Sequence, residues 1–95
     1  LNDALEMALK AIELEPENPA FLDTIGWIYY KRNKYEKALH YIEASIRTES
    51  ENAVVLEHLG DVLIKMDRRV DAMDYYGRAL EIDSDNERLR EKIEK

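Results

Sequence analysis

A period of 34 residues restricts what this chain folds into more than any other property of it. Ala4, Ala38 and Ala72 stand one period apart, and the same offset links Ala11, Ser45 and Ala79, then Ile12, Ile46 and Leu80. Glu15, Glu49 and Asp83 keep the register, as do Asn18, Asn52 and Asn86, Gly26 with Gly60, and Lys31 with Lys65. So many matches in a single register mark one structural unit copied along the chain. Its fullest copy is residues 21–46, FLDTIGWIYYKRNKYEKALHYIEASI. Residues 53–82 replay it, and residues 1–14 look like its second half one period earlier.

Within each copy the apolar residues step by three and four, as on one face of a helix. Phe21, Ile25, Ile28 and Tyr29 do so, then Tyr35, Ala38, Leu39, Ile42 and Ile46. The next copy gives Val55, Leu59, Val62, Leu63 and Met66, then Ala72, Met73, Tyr76, Ala79 and Leu80. The spacing predicts helices over about 2–14, 20–32, 35–48, 53–66, 69–82 and 86–94. Asn33 and Asp67 fall at the turn inside each copy, where a left-handed backbone is tolerated best by such residues. Between copies, Pro16, Pro19, Ser50 and Ser84 are expected to break one helix or cap the next. The last segment, ERLREKIEK, has only Leu89 and Ile93 as apolar residues and reads as a polar lid on the stack.

Composition removes several classes of function. A formal net charge of −7 disfavours DNA, RNA and anionic membrane surfaces as partners. The absence of cysteine excludes a disulfide framework and a thiolate metal site. No apolar run approaches the roughly 20 residues that span a bilayer, so this stretch is not expected to insert into a membrane. The sequence opens on Leu1 and carries no signal peptide, which we read as a piece of something longer, cut in the middle of a repeat.

The repeat resembles the tetratricopeptide-repeat (TPR) family. The family's leucine and small residue in the first helix correspond to Ile25 and Gly26, then Leu59 and Gly60. Its tyrosine one turn on is Tyr29, replaced by Leu63 in the next copy. In the second helix its alanine is Ala38 and Ala72, its bulky residue Ile42 and Tyr76, and its second alanine Ser45 and Ala79. The partial first copy supplies Ala4, Ala8, Ala11 and Pro16. Leu22 and Leu56 depart from the family's tryptophan, and Ser50 and Ser84 from its proline. The resemblance implies an all-α fold, a right-handed α-solenoid of antiparallel helix pairs. It divides the chain into the second helix of a truncated repeat (1–18), full repeats at 19–52 and 53–86, and a capping helix at 87–95.

The resemblance also implies a working surface, a concave groove lined by the first helix of each repeat that accepts a peptide segment or helix from a partner. Carried onto this sequence, the groove positions are Ala20, Asp23, Trp27, Tyr30 and Lys31, then Val54, Glu57, Asp61, Ile64 and Lys65. Asp23, Trp27 and Tyr30 share one helical stripe off the main core pattern. The subgroup that clamps C-terminal carboxylates needs lysine, arginine and asparagine where this chain has Asp23, Glu57 and Asp61, so likeness to it fails. An acidic groove with Trp27 and Tyr30 suits a basic or apolar segment, through charge pairing and cation–π contact. The alternative is that the three acids are a solvated helix face. Trp27 is expected partly exposed on the groove side, as an anchor for a partner.

Catalysis finds little support. His58 and Asp61 are spaced to touch a metal with Glu57 beside them, but no further ligands follow. His40 stands apart among charged residues, and the helical glycines form no phosphate-cradling loop. We therefore expect a non-enzyme with no catalytic residue, no cofactor and no metal, acting as an interaction scaffold. A segment docking a neighbouring domain of its own parent chain is the alternative function. The uncovered face of the first helix, drawn from Leu1, Leu5, Ala8 and Ile12, is either an edge left bare by truncation or a surface for self-association. The stretch LDTIGWIYYKRNKYEKAL followed by LEHLGDVLIKM resembles repeat proteins of bacteria, many of them in the cell envelope.

Overall fold

A computed structural model describes residues 3–48 and 52–94 of the chain. Six helices follow one another: α1 (Asp3–Leu14), α2 (Pro19–Lys31), α3 (Tyr35–Thr48), α4 (Ala53–Lys65), α5 (Arg69–Ile82) and α6 (Glu87–Glu94). Among the described residues there is no strand, so the fold is all-α and built of helix pairs. It falls into two compact units, Leu1–Ser50 with α1 to α3 and Glu51–Lys95 with α4 to α6.

In the first unit α2 and α3 form an antiparallel pair. The turn between them is closed by Asn33 at φ 63°, with Lys34 N–H donating to the Tyr29 carbonyl (2.9 Å) and Asn33 N–H to that of Tyr30 (3.0 Å). This left-handed closure satisfies carbonyls that the end of α2 would leave bare. Asp67, at φ 61°, repeats it between α4 and α5, with Arg68 N–H on Leu63 and Asp67 N–H on Ile64. Gly26 and Gly60 sit where the helices of each pair press together. A Cβ on Gly26 would collide with the Ile42 side chain, and one on Gly60 with the Tyr76 ring. The first core closes on Leu22, Ile25, Ala38 and Ile42, the second on Val55, Leu56, Leu59, Val62, Leu63, Ala72, Tyr76, Ala79 and Leu89. Leu22 and Leu56, the departures from the tryptophan that the resemblance implies, are buried in these cores. Ser45 is buried in an alanine's place and satisfies its hydroxyl by donating to the Pro19 carbonyl (2.8 Å).

The caps differ from the expectation. Ser84 caps nothing; its carbonyl accepts from Arg90 (2.7 Å). Ser50 lies outside the described residues. The caps are the periodic asparagines. Asn18 Oδ1 accepts from Ala20 N–H and Phe21 N–H (2.9 and 3.2 Å), with Pro19 opening the first turn where its missing N–H does no harm. Asn52 does the same for Val54 and Val55, and Asn86 for Leu89. The Asn18 amide also donates to Glu15 (3.1 Å) and the Asn86 amide to Asp83 (3.0 Å). One acid–Asn pair thus builds each of these connections, which explains why Glu15 and Asp83 keep the 34-residue register.

α1 packs on α2. Of the face predicted to be bare, Leu5, Ala8 and Ile12 are half-buried, and Leu1 lies outside the described residues. The large apolar side chains that α1 exposes are instead Met7 (70%) and Leu14 (85%).

Candidate partner-binding surfaces

The first unit presents an aromatic ladder on α2. Trp27 and Tyr30 are three residues apart and so share one side of the helix. Their rings stack with centroids 4.5 Å apart and planes 14° from parallel. Tyr35 continues the ladder at 5.8 Å from Tyr30, tilted by 59°, and is anchored by its hydroxyl donating to Asn33 Oδ1 (2.8 Å). The Lys31 ammonium lies 5.6 Å from the centre of the Trp27 ring. Trp27, Tyr30 and Asp23 are half-buried, while Ala20 and Lys31 are exposed. Rings held against one another lose little freedom when a partner covers them, which favours binding. The cation–π contact with Lys31 means that α2 already supplies a cation to its own tryptophan.

The second unit treats the corresponding residues of α4 differently. Val54 and Lys65 are exposed and Ile64 is half-buried. Glu57, expected on an open acidic groove or a solvated face, is neither: it is only 5% exposed. Arg88 of α6 grips it with two bonds, Nε to Oε2 and Nη2 to Oε1, both 2.8 Å. Lys92, one turn further along α6, donates to Glu57 (2.6 Å) and to both oxygens of Asp61 (3.0 and 3.2 Å). The Tyr76 hydroxyl donates to Asp61 Oδ1 (2.5 Å), which is how a core tyrosine satisfies its polar end. The hydrogen bond from Arg88 is the chief reason that the Glu57 carboxyl is lowered to about 2; burial opposes this and Lys92 reinforces it. Burial alone would lower Lys92, but its bonds to Glu57 and Asp61 outweigh that and raise it.

Two carboxylates therefore meet two cations, and this part of the predicted acidic groove is neutralised from within the chain. The same engagement removes Asp61 from the sketched metal pair with His58. Among the described residues, no group of three or more His, Asp or Glu is placed to hold a metal. Sequence reasoning missed Arg88 and Lys92, although their i, i+4 spacing beside Leu89 was visible.

It also missed a hollow of about 330 Å³ on α2 and α3, lined by Tyr29, Glu36, Lys37, His40 and Tyr41. Tyr29 and Tyr41 stack there at 5.7 Å, the Lys37 ammonium is 5.4 Å from the Tyr29 ring centre, and His40 meets Tyr41 edge-on at 5.0 Å. His40 is thus part of an aromatic cluster.

Known proteins resemble this chain in the same sense. Residues 1–79 match the family model described as anaphase-promoting complex, cyclosome, subunit 3. A TPR repeat-containing protein of Pseudomonas aeruginosa, PA4667, is 40% identical over 45 residues, 47% of this chain but 8% of that protein. YrrB, described as a TPR protein with an unusual peptide-binding site, is 27% identical with a TM-score of 0.89. That match takes in 97% of this chain and 47% of YrrB. The N-terminal domain of stress-induced protein-1 from C. elegans is 21% identical with a TM-score of 0.79, over 92% of this chain and 73% of that domain, and shows the shared fold.

Proposed function

We propose how a partner is held from the premise that this chain belongs to the tetratricopeptide-repeat family, through the subunit 3 family model matched by residues 1–79. Repeats of this type are protein–protein interaction modules. The proposed contact is the Trp27–Tyr30–Tyr35 face of α2, engaging a peptide segment or helix of another protein. The observation that carries this reading is the stacked, half-buried Trp27–Tyr30 pair with Lys31 on the tryptophan. Tryptophan and tyrosine are enriched among the residues that anchor protein interfaces.

Of the two partner chemistries that the sequence left open, the structure favours the apolar one for this face. A basic segment would have to compete with Lys31 for Trp27. Two of the three acids that would attract it, Glu57 and Asp61, are already engaged by Arg88 and Lys92. An apolar or aromatic side chain on the ladder, followed by an acidic group within reach of Lys31, meets both demands of the surface. The peptide-binding site ascribed to YrrB, a protein with the same fold, supports looking for a peptide ligand.

Trp27 is the single tryptophan, so its fluorescence reports this face alone. Titration with an apolar–acidic peptide series should shift its emission saturably, and Trp27→Ala or Tyr30→Ala should weaken binding by about 1–3 kcal/mol, measured calorimetrically for the tryptophan variant. Equal binding by both variants would refute the assignment. Tighter binding of a basic series would refute the partner chemistry.

A further inference from the structure

Resting on the reading of this chain as an interaction module, we propose that the Glu57–Asp61 face of α4 is a seat for a basic amphipathic helix. α6 holds that seat in cis, and a partner helix with the same charge pattern takes it by displacing α6.

α6 is poorly equipped to stay in place by packing. Its sequence ERLREKIE contributes one fully buried apolar side chain, Leu89, and one half-buried apolar side chain, Ile93. Charge and hydrogen-bond geometry supply what packing lacks. The Arg88 fork matches the Glu57 carboxylate, the Lys92 ammonium bridges Glu57 and Asp61, and it lies 5.5 Å from the centre of the Tyr76 ring. The receiving groups, Glu57, Asp61 and Tyr76, belong to α4 and α5. α6 acts as their ligand, and its sequence reads out what they accept: arginine, leucine directly after it, and lysine one turn beyond the arginine.

The connection between α5 and α6 is only Asp83 to Asn86, so α6 competes at high effective concentration. A short basic peptide cannot overcome that advantage. A longer helix with the same Arg–Leu and Lys pattern and a continuous apolar stripe can, because it adds buried area that α6 lacks. α6 thereby works as a selectivity filter, rejecting basic segments that bring charge alone.

The test uses the full chain and a synthetic peptide of residues 84–95. In the Arg88→Glu/Lys92→Glu variant, α6 amides should exchange with solvent as if open while α4 and α5 stay protected. The peptide should bind this variant at least tenfold more tightly than the unaltered chain. A peptide with glutamate in place of both basic residues should not bind. If the charge-reversed chain loses its helical circular dichroism, Arg88→Gln/Lys92→Gln removes the attraction without adding repulsion and should give the same ordering. The proposal is overturned if α6 stays protected in a folded charge variant, or if the peptide binds altered and unaltered chains equally. These readouts concern the second unit and leave the Trp27 titration untouched. Failure of either experiment is therefore distinguishable from failure of the other.

Discussion

Replacing Glu57 with glutamine keeps the shape of the side chain and removes the charge on which α6 is anchored. The structure gives both the size of the loss and its pH dependence. The carboxyl sits at about 2 in the folded chain against an ordinary 4.5, chiefly through its hydrogen bond with Arg88. That difference corresponds to about 3 kcal/mol at neutral pH. The Arg88 side chain is 62% exposed, so water screens the pair and about 1–2 kcal/mol is the reasonable expectation. Because the folded value is depressed, the stabilisation is complete above the unfolded value. It fades as pH falls from about 4.5 through about 2. Urea unfolding of both chains, followed by circular dichroism from pH 7 to pH 2, should therefore show Glu57→Gln less stable at pH 7, with the two curves converging under acid. A gap that persists unchanged at pH 2 would mean that shape, not charge, distinguishes the two side chains. No gap at pH 7 would refute the anchoring role.

Three further outcomes follow from the backbone and the pair packing. Gly60→Ala should cost about 1–3 kcal/mol, because its Cβ falls on the Tyr76 ring, whereas Gly77→Ala should stabilise by about 0.5–1 kcal/mol, because nothing lies within 4 Å of the new atom. Thermal melts moving in the same direction for both would refute that packing. Asn52→Ala should cost about 1 kcal/mol by stripping the cap from Val54 and Val55, with Asn52→Asp retaining most of it in the same melts. Asp67→Val, at φ 61°, should cost about 1–2 kcal/mol relative to Asp67→Gly in urea titrations.

The helix pairs were legible in the sequence because their code is local and repeated. Ile25, Gly26, Ala38 and Ile42 recur as Leu59, Gly60, Ala72 and Tyr76, and the shape of a helix pair forces small residues at the close approach. Asn33 and Asp67 were legible for a similar reason, since few residues accept a left-handed backbone. The asparagine caps were present as a periodic signal, but a period says that a residue matters and not what it does. Only the acid at i−3 and the amides at i+2 and i+3 reveal Asn18 as the hub of its turn.

The charge of the candidate surface was not legible for a deeper reason. Asp23, Glu57 and Asp61 were counted as residues, whereas the potential that a partner meets is a property of pairs. Glu57 and Arg88 are 31 residues apart, and their meeting depends on α6 folding back within its unit. Nothing in the composition of α4 signals that its acids are spent. The general warning in a helical repeat is a polar helix whose cations fall one turn apart beside a leucine. Such a helix looks like a merely solubilising surface and can instead be the ligand of its own neighbour. Where it is, the formal charge of the receiving helix overstates its attraction for basic partners, and this is why the contact proposed above lies on an aromatic face elsewhere, the stacked Trp27 and Tyr30.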